Sequence, residues 1–384
     1  MFKRIFLIVL DSVGIGAALD AKNFDDEGTN TFLHAVDGHE ELENFKKLGY
    51  YNILDNTHKK TSAYYTKAKE ISNGKDTLTG HLEMMGIITV KPFKTFLNGF
   101  PDELIKEIEK ISGRKVIGNC AASGTEIIKE LGERQMKTGE LIVYTSADSV
   151  LQIAAHEEVI PLEELYDICS KVRELTLRDE WKVGRIIARP YLGTNRENFT
   201  RTPNRHDYAL NPAKETVLDK LKHNDYDVIS IGKIVDIFNN CGITESIRTQ
   251  DNTDGINKII EVTKRDFEGL CFANLNDYDS KYGHRRDKEG YFKALKEFND
   301  KLPNIINYLK YDDLLMITAD HGNDPTYKGT DHTRENVPVV FYSKRFLNPK
   351  KLDEFDTFSN IGATIADNFN VENVNGKSVL DKLK

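Results

Sequence analysis

Short, uninterrupted apolar runs bounded by polar or turn-forming residues recur along the chain: Ile5–Leu10, Val228–Ile231, Leu270–Leu275, Leu314–Thr318 and Val337–Tyr342. A strand with one wet face alternates apolar and polar positions, so runs without alternation predict strands buried on both faces. Helical stretches are expected between them, at Pro212–Lys222 and Tyr291–Tyr308. Continuous apolar strands alternating with helices predict a mostly parallel sheet sandwiched by helices, an α/β layer fold.

The texture changes from about Lys91 to Asn211. Charged helical patterns lie at Asp102–Ile111 and Pro161–Leu175, with separate strand candidates at Leu141–Tyr144 and Arg185–Ala188. This predicts an inserted α+β domain over residues 93–211 and a discontinuous core made of 1–92 and 212–384. A length of 384 residues agrees, since about 150 residues per domain implies two or three domains.

Composition removes several classes. Lys and Arg number 53 against 61 Asp and Glu, a net charge of −8, which argues against a dedicated nucleic-acid binder. No stretch approaches the length of a membrane span. The Ile5–Leu10 run behind Lys3 and Arg4 is too short for a secretory core. Four widely separated cysteines, Cys120, Cys169, Cys241 and Cys271, form neither a thiolate metal motif nor a disulfide framework, as expected in a reducing cytoplasm.

The candidate chemistry sits at strand ends. Ile5–Leu10 runs into Asp11, Leu270–Leu275 into Asp277 and Asp279, and Leu314–Thr318 into Asp320. Ligands of open α/β sheets bind outside the carboxyl ends of the strands, so these acids are expected to converge on one crevice. Converging carboxylates repel one another unless a cation neutralises them. His284, His321 and His332 accompany them, and a mixed oxygen and imidazole set without thiolate suits Mn, Fe or Zn. An Asp at a strand end is by itself usually a helix cap or turn former. Three acid-tipped strands and three histidines in the last third of the chain are better read as a metal centre.

Gly74–Gly86 is the second conspicuous segment. Asp76 or Thr77 would cap a helix whose free N–H groups and dipole favour a phosphate, and a hydroxyl there could attack phosphorus; a plain N-cap is an equal alternative. Arg185 and Arg189 flank Ile186–Ala188, and Arg201 and Arg205 share a loop. Paired guanidiniums suit bidentate recognition of a phosphate, and Lys233 is a weaker candidate of the same kind. A cysteine followed by x-Pro-x-Arg, a zinc-deaminase partner motif, a second zinc-protease histidine and a complete dinucleotide fingerprint are all absent from the sequence.

Ile8–Gly16, Gly74–Gly86, Asp277–Asp287, Thr318–Gly322 and Thr330–Glu335 together resemble the bacterial, manganese-dependent phosphopentomutases of the alkaline phosphatase superfamily, and Ser146–Ser149 with Arg185–Tyr191 extends the likeness through the middle of the chain. Leu78, Leu82 and Asn336 depart from the family's pattern. The resemblance implies an alkaline-phosphatase-like core with an inserted cap, and two Mn²⁺ per chain. One ion would be held by Asp11, Thr77, Asp320 and His321, the other by Asp279, His284 and His332. Thr77 would be the nucleophile and carry phosphate in the active enzyme. Ser146, Asp148, Arg185 and Arg201 would hold the pentose phosphate, and Lys233 would approach the transferring group. The implied reaction interconverts ribose (or 2-deoxyribose) 1-phosphate and 5-phosphate through a 1,5-bisphosphate, with a sugar bisphosphate as primer. A phosphatase or phosphodiesterase of the same superfamily and a non-catalytic sugar-phosphate sensor are the alternatives.

Overall fold

The computed structural model describes residues 1–55, 60–146 and 149–384. Along the chain the strands are β1 (Arg4–Leu10), β2 (Tyr64–Ala68), β3 (Val116–Ala121), β4 (Leu141–Thr145), β5 (Val150–His156), β6 (Arg185–Leu192), β7 (Thr200–Arg201), β8 (His206–Ala209), β9 (Asp227–Ile231), β10 (Glu245–Ile247), β11 (Gly269–Leu275), β12 (Asp313–Thr318) and β13 (Val337–Tyr342). Four helices matter for the site: α1 (Thr77–Met84), α2 (Gly124–Thr138), α3 (Asn252–Thr263) and α4 (Lys288–Tyr308). The chain divides into two compact units, one of Met1–Lys91 with Asn211–Lys384 and the other of Pro92–Leu210.

The first unit carries a seven-stranded sheet in the order β10-β9-β11-β1-β12-β13-β2. From β10 to β12 every pairing is parallel, whereas β13 runs antiparallel to both β12 and β2. The unbroken apolar run Val337–Tyr342 suggested one more parallel strand; burial on both faces produces that run whichever way the strand points. The central strands β11, β1 and β12 are buried along their whole length. Leu10 pairs with Leu275 and Val9 with Thr318, so the segments that follow these strands leave the sheet at one edge.

Caps explain where helices depart from the sequence expectation. The helix expected from Pro212 begins at Val217, because Thr216 and Asp219 form a capping box there. Helix α4 starts at Lys288, three residues before the first apolar position, because the Asp287 carboxylate accepts from Gly290 N at 2.8 Å.

The second unit is built on β3-β4-β5-β6-β7, with β8 paired to β6. Leu104, Ile108, Leu165 and Ile168 pack with Leu141, Val143, Leu151 and Ile153 in one core. A second core joins Ile127 and Ile128 of α2 to Ile142, Tyr144, Ala154 and Tyr191. Successive strand residues point to opposite faces, so α2 covers one side of this sheet and the helices Asp102–Ser112 and Leu162–Leu175 cover the opposite side.

Candidate metal centre

Asp11 follows β1, Asp320 follows β12, and Asp279 lies on a short helical turn, Tyr278–Tyr282, just beyond β11. Their carboxylates meet three imidazoles. His332 Nε2 stands 3.3 Å from Asp279 Oδ1, and His284 Nε2 stands 3.2 Å from Asp279 Oδ2. The two imidazole Nε2 atoms are 3.1 Å apart. His321 Nε2 lies 3.6 Å from Asp11 Oδ1 and 3.4 Å from Asp320 Oδ2. Ligand atoms of Asp279, His284 and His332 lie within 4.8 Å of one another, as do those of Asp11, Asp279 and His321. Asp279 thus belongs to both groups, where the sequence reading gave it to one.

The outer atoms of these side chains are held in place. Asp11 Oδ2 accepts from Asn274 Nδ2 at 3.0 Å, Asp320 Oδ1 from Ser12 N at 2.9 Å, and Asp279 Oδ1 from Asn323 Nδ2 at 2.7 Å. His321 Nδ1 and His284 Nδ1 face the carbonyls of Gly322 and Thr330 at 2.9 and 2.7 Å, which leaves each Nε2 turned to the acids. Asp11 Oδ1 and Asp320 Oδ2 are buried without a hydrogen-bond partner. An orphaned carboxylate oxygen is costly in a protein interior, and two of them beside one imidazole nitrogen fit a divalent cation.

The charges agree with that fit. Burial, with Asp320 and Asp279 nearby, pushes the Asp11 carboxyl well above its ordinary range. Burial also opposes ionisation of Asp279, but His332 and His284 outweigh it and hold that carboxyl well below its ordinary range. Burial lowers the His321 imidazole. It also disfavours charge on His284, where the Asp279 partner prevails and raises it.

Thr77 is the first residue of α1, and Asp76 caps that helix by accepting from Thr79 N at 3.1 Å. Thr77 Oγ1 lies 3.2 Å from His321 Nε2, at the rim of the acid–imidazole cluster. The loop before it is clamped by Arg334, a buried side chain that donates to the carbonyls of Glu70 and Ser72 at 2.7 and 2.9 Å and to the Glu70 carboxylate at 2.7 Å.

Asp277 stands apart from this group: its carboxylate takes Lys281 Nζ and Asn252 N, both at 2.9 Å. Lys233 follows β9 and donates to Asn276 Oδ1. In the second unit, Arg185 lies 3.6 Å from Asp207, which also takes Arg205 Nε at 2.6 Å. Arg201 and the buried, unpartnered Tyr144 hydroxyl both face Gly124 at the start of α2. Burial and the neighbouring Arg205 and Arg201 lower Arg189 to about 10. Ser146 follows β4 at half-burial, and Asp148 lies outside the described residues.

A profile described as the Metalloenzyme superfamily matches residues 3–373. The chain belongs to the Metalloenzyme superfamily. Among solved structures it is similar to the PH0037 protein from Pyrococcus horikoshii, at 13% identity over 96% of this chain and 98% of that one, with a TM-score of 0.50. A phosphoglycerate mutase from Leishmania mexicana, solved at low cobalt concentration, matches at 12% identity over 99% and 97% of the two chains, with a TM-score of 0.46. Alkaline phosphatase from the Antarctic bacterium TAB5 matches at 11% identity over 97% and 98%, with a TM-score of 0.37.

For this Metalloenzyme member, sequence reasoning passed over four residues of the site. His81 Nδ1 faces the Thr77 carbonyl at 2.8 Å and lies 3.3 Å from Asp320 Oδ2. Asn274, Asn323 and Arg334 orient ligands or the Thr77 loop. His81 and Arg334 stand inside segments already singled out. Asn274 is the penultimate residue of an apolar strand, and such a buried polar residue is the signal that could have found it.

Proposed function

We propose that this chain is a phosphopentomutase, interconverting ribose or 2-deoxyribose 1-phosphate and 5-phosphate through a phosphothreonine at Thr77 and a 1,5-bisphosphate. The observation that carries the reading is the Thr77 hydroxyl, 3.2 Å from His321 Nε2 beside two carboxylate oxygens without hydrogen-bond partners. In this reading Asp11, Thr77, Asp320 and His321 hold one Mn²⁺, and Asp279, His284 and His332 hold a second. Bound there, the ions would supply Lewis-acid charge neutralisation for phosphoryl transfer.

The chain's own residues do the positioning. The α1 cap and the Arg334 clamp fix Thr77 Oγ1, and Lys233 brings an ammonium toward the transferring phosphoryl. The P–Oγ1 bond breaks as a new ester forms at the free sugar hydroxyl, whose proton ends on Oγ1. The reverse transfer then takes the other phosphate from the bisphosphate. Loose phosphoryl-transfer transition states depend mainly on positioning and charge stabilisation. Ser146, Asp148, Arg185 and Arg201 hold the pentose phosphate. Arg189 joins them in this reading, because guanidiniums crowded together favour an anion between them. A cytoplasmic setting is part of the same proposal, since its substrates are phosphorylated sugars.

Incubation with Mn²⁺, a sugar-bisphosphate primer and ribose 5-phosphate tests the reading. Ribose 1-phosphate should accumulate with little inorganic phosphate. Inorganic phosphate as the main product would make the protein a phosphatase, and binding without turnover would make it a sensor.

A further inference from the structure

Arg286 stands two residues beyond His284, at the end of the short turn Gly283–Arg285, with φ at +53°. The residue is half-buried, and its guanidinium carries five N–H donors and no acceptor. All five find partners. Nε donates to the Gly329 carbonyl at 2.6 Å, and Nη1 to the Gly283 carbonyl at 2.8 Å and to Asn323 Oδ1. Nη2 donates to the carbonyls of Asp331 at 2.9 Å and Lys328 at 3.4 Å. None of these acceptors is a carboxylate. A guanidinium spent wholly on neutral oxygens holds loops in place and balances no charge.

The segments it joins are those of one proposed ion. Gly283 precedes His284. The loop 328–331 carries Thr330, whose carbonyl faces His284 Nδ1 at 2.7 Å, and leads into His332. Asn323 gives its Nδ2 to Asp279 Oδ1 at 2.7 Å. Arg286 can only donate, so it selects the orientation of the Asn323 amide that turns the N–H toward Asp279. Gly283 packs against the same amide: a Cβ there would stand 2.8 Å from Asn323 Cγ. Asp11, Asp320 and the Thr77 helix are braced instead by Asn274, Ser12 N and Asp76.

We propose that Arg286 is a positioning residue for one metal ion, the one assigned to Asp279, His284 and His332, and that it leaves the other ion unaffected. It acts through Asn323 and the loop 328–331. The inference rests on the two-ion reading above. Geometry and charge make opposite predictions for its loss. Asp279 is close enough to act on the Arg286 charge, so by charge alone removing that cation would tighten Mn²⁺ binding. Loss of the bracing weakens it, by about ten- to a hundredfold for a residue that orients ligands.

The test uses Arg286→Gly, which suits the left-handed backbone and removes only the side chain. Mn²⁺ is titrated into the full chain by calorimetry, and electron paramagnetic resonance follows whether the bound ions are spin-coupled. Wild type should take up two ions and give a coupled spectrum. The variant should keep one affinity unchanged, lose about tenfold or more at the other, and give the spectrum of an isolated ion at intermediate loading. The loss should persist in an Asp11→Asn background, which disables the other site. Methylguanidinium should restore the weakened site, and methylammonium should not. Arg286→Lys, which keeps the charge but not the five-donor fork, should show the same selective loss and serves if the glycine variant fails to fold. Tighter or unchanged affinity, or equal loss at both sites, overturns the inference. A single ion in wild type removes the two-ion reading, and the inference then survives only if Arg286→Gly weakens that ion and methylguanidinium restores it. Two ions taken up without isomerisation remove the mutase reading alone.

Discussion

Gly80 on α1 approaches the backbone of Asp320 so closely that a Cβ at this position would stand 2.1 Å from the Asp320 carbonyl oxygen. Backbone atoms cannot swing aside as a flexible side chain can, so this contact fixes the distance between the Thr77 helix and the β12 acid. Gly80→Ala should push α1 outward. The expected loss is about 1–3 kcal/mol in denaturant unfolding, the usual cost of overpacking, together with a sharp fall in phosphothreonine formation measured by mass spectrometry. Unaltered phosphorylation would show that the close approach does not set the Thr77 position.

Thr77→Ala should abolish phosphoenzyme formation and reduce ribose 1-phosphate production by about a thousandfold or more, as loss of a nucleophile does. Thr77→Ser keeps the hydroxyl and should retain a measurable part of both. The rate of product formation by coupled assay decides the point; full activity in the alanine variant would assign the nucleophile elsewhere.

Removing the metal should leave the carboxylates of Asp11, Asp279 and Asp320 facing one another with only imidazoles for relief. Mn²⁺ at a hundredfold excess over its Kd should raise unfolding stability by about 2.7 kcal/mol over the chelated protein. Asp11→Asn with Asp320→Asn should lose most of that increment in calorimetric scans.

The histidines set the sign of a pH effect. The Asp279 partner raises His284, against the opposing effect of burial. In the metal-free protein this pair contributes stability that is fully present below the unfolded histidine pKa, about 6.5, and is lost as pH rises through the higher folded value. A metal requires neutral Nε2, so Mn²⁺ affinity should climb over the same interval. Unfolding curves in chelator and in Mn²⁺ should therefore diverge as pH rises, and parallel curves would count against His284 as a ligand.

Arg189 offers a prediction with opposite signs for binding and stability. Burial and the nearby guanidiniums disfavour its charge, which a bound phosphate would compensate. Arg189→Gln should weaken ribose 5-phosphate binding about tenfold, the equivalent of ~1.4 kcal/mol, yet leave the ligand-free protein as stable or more so. Equilibrium binding and unfolding on the same samples check both halves.

Strands of the seven-stranded sheet were legible where burial on both faces writes an unbroken apolar run: Ile5–Leu10 differs from β1 only at Arg4, and Val337–Tyr342 coincides with β13. Strand direction was not legible, since the antiparallel β13 is as apolar as the parallel strands of the same sheet. The short β2 went unseen because Tyr64–Ala68 includes Thr66 and Lys67. The Asp279, Asp320 and histidine segments stood out by clustering near strand ends. The clamping roles of Arg334 and of Glu83, whose carboxylate accepts from Ser72 N at 2.7 Å and Phe358 N at 3.0 Å, did not, because what they clamp is remote in sequence or consists of backbone groups that every residue carries.

The amino-acid order alone determined the fully buried strands of the seven-stranded sheet and which acids follow them, because burial and capping act over a few residues at a time. Only the tertiary structure decided that Asp279 faces both Asp11 and the His284–His332 pair, and that Asp277 instead braces α3. Those outcomes depend on strand order and register, which bring together residues as far apart in the chain as Asp11 and His321, 310 positions, and no local pattern encodes a contact of that span.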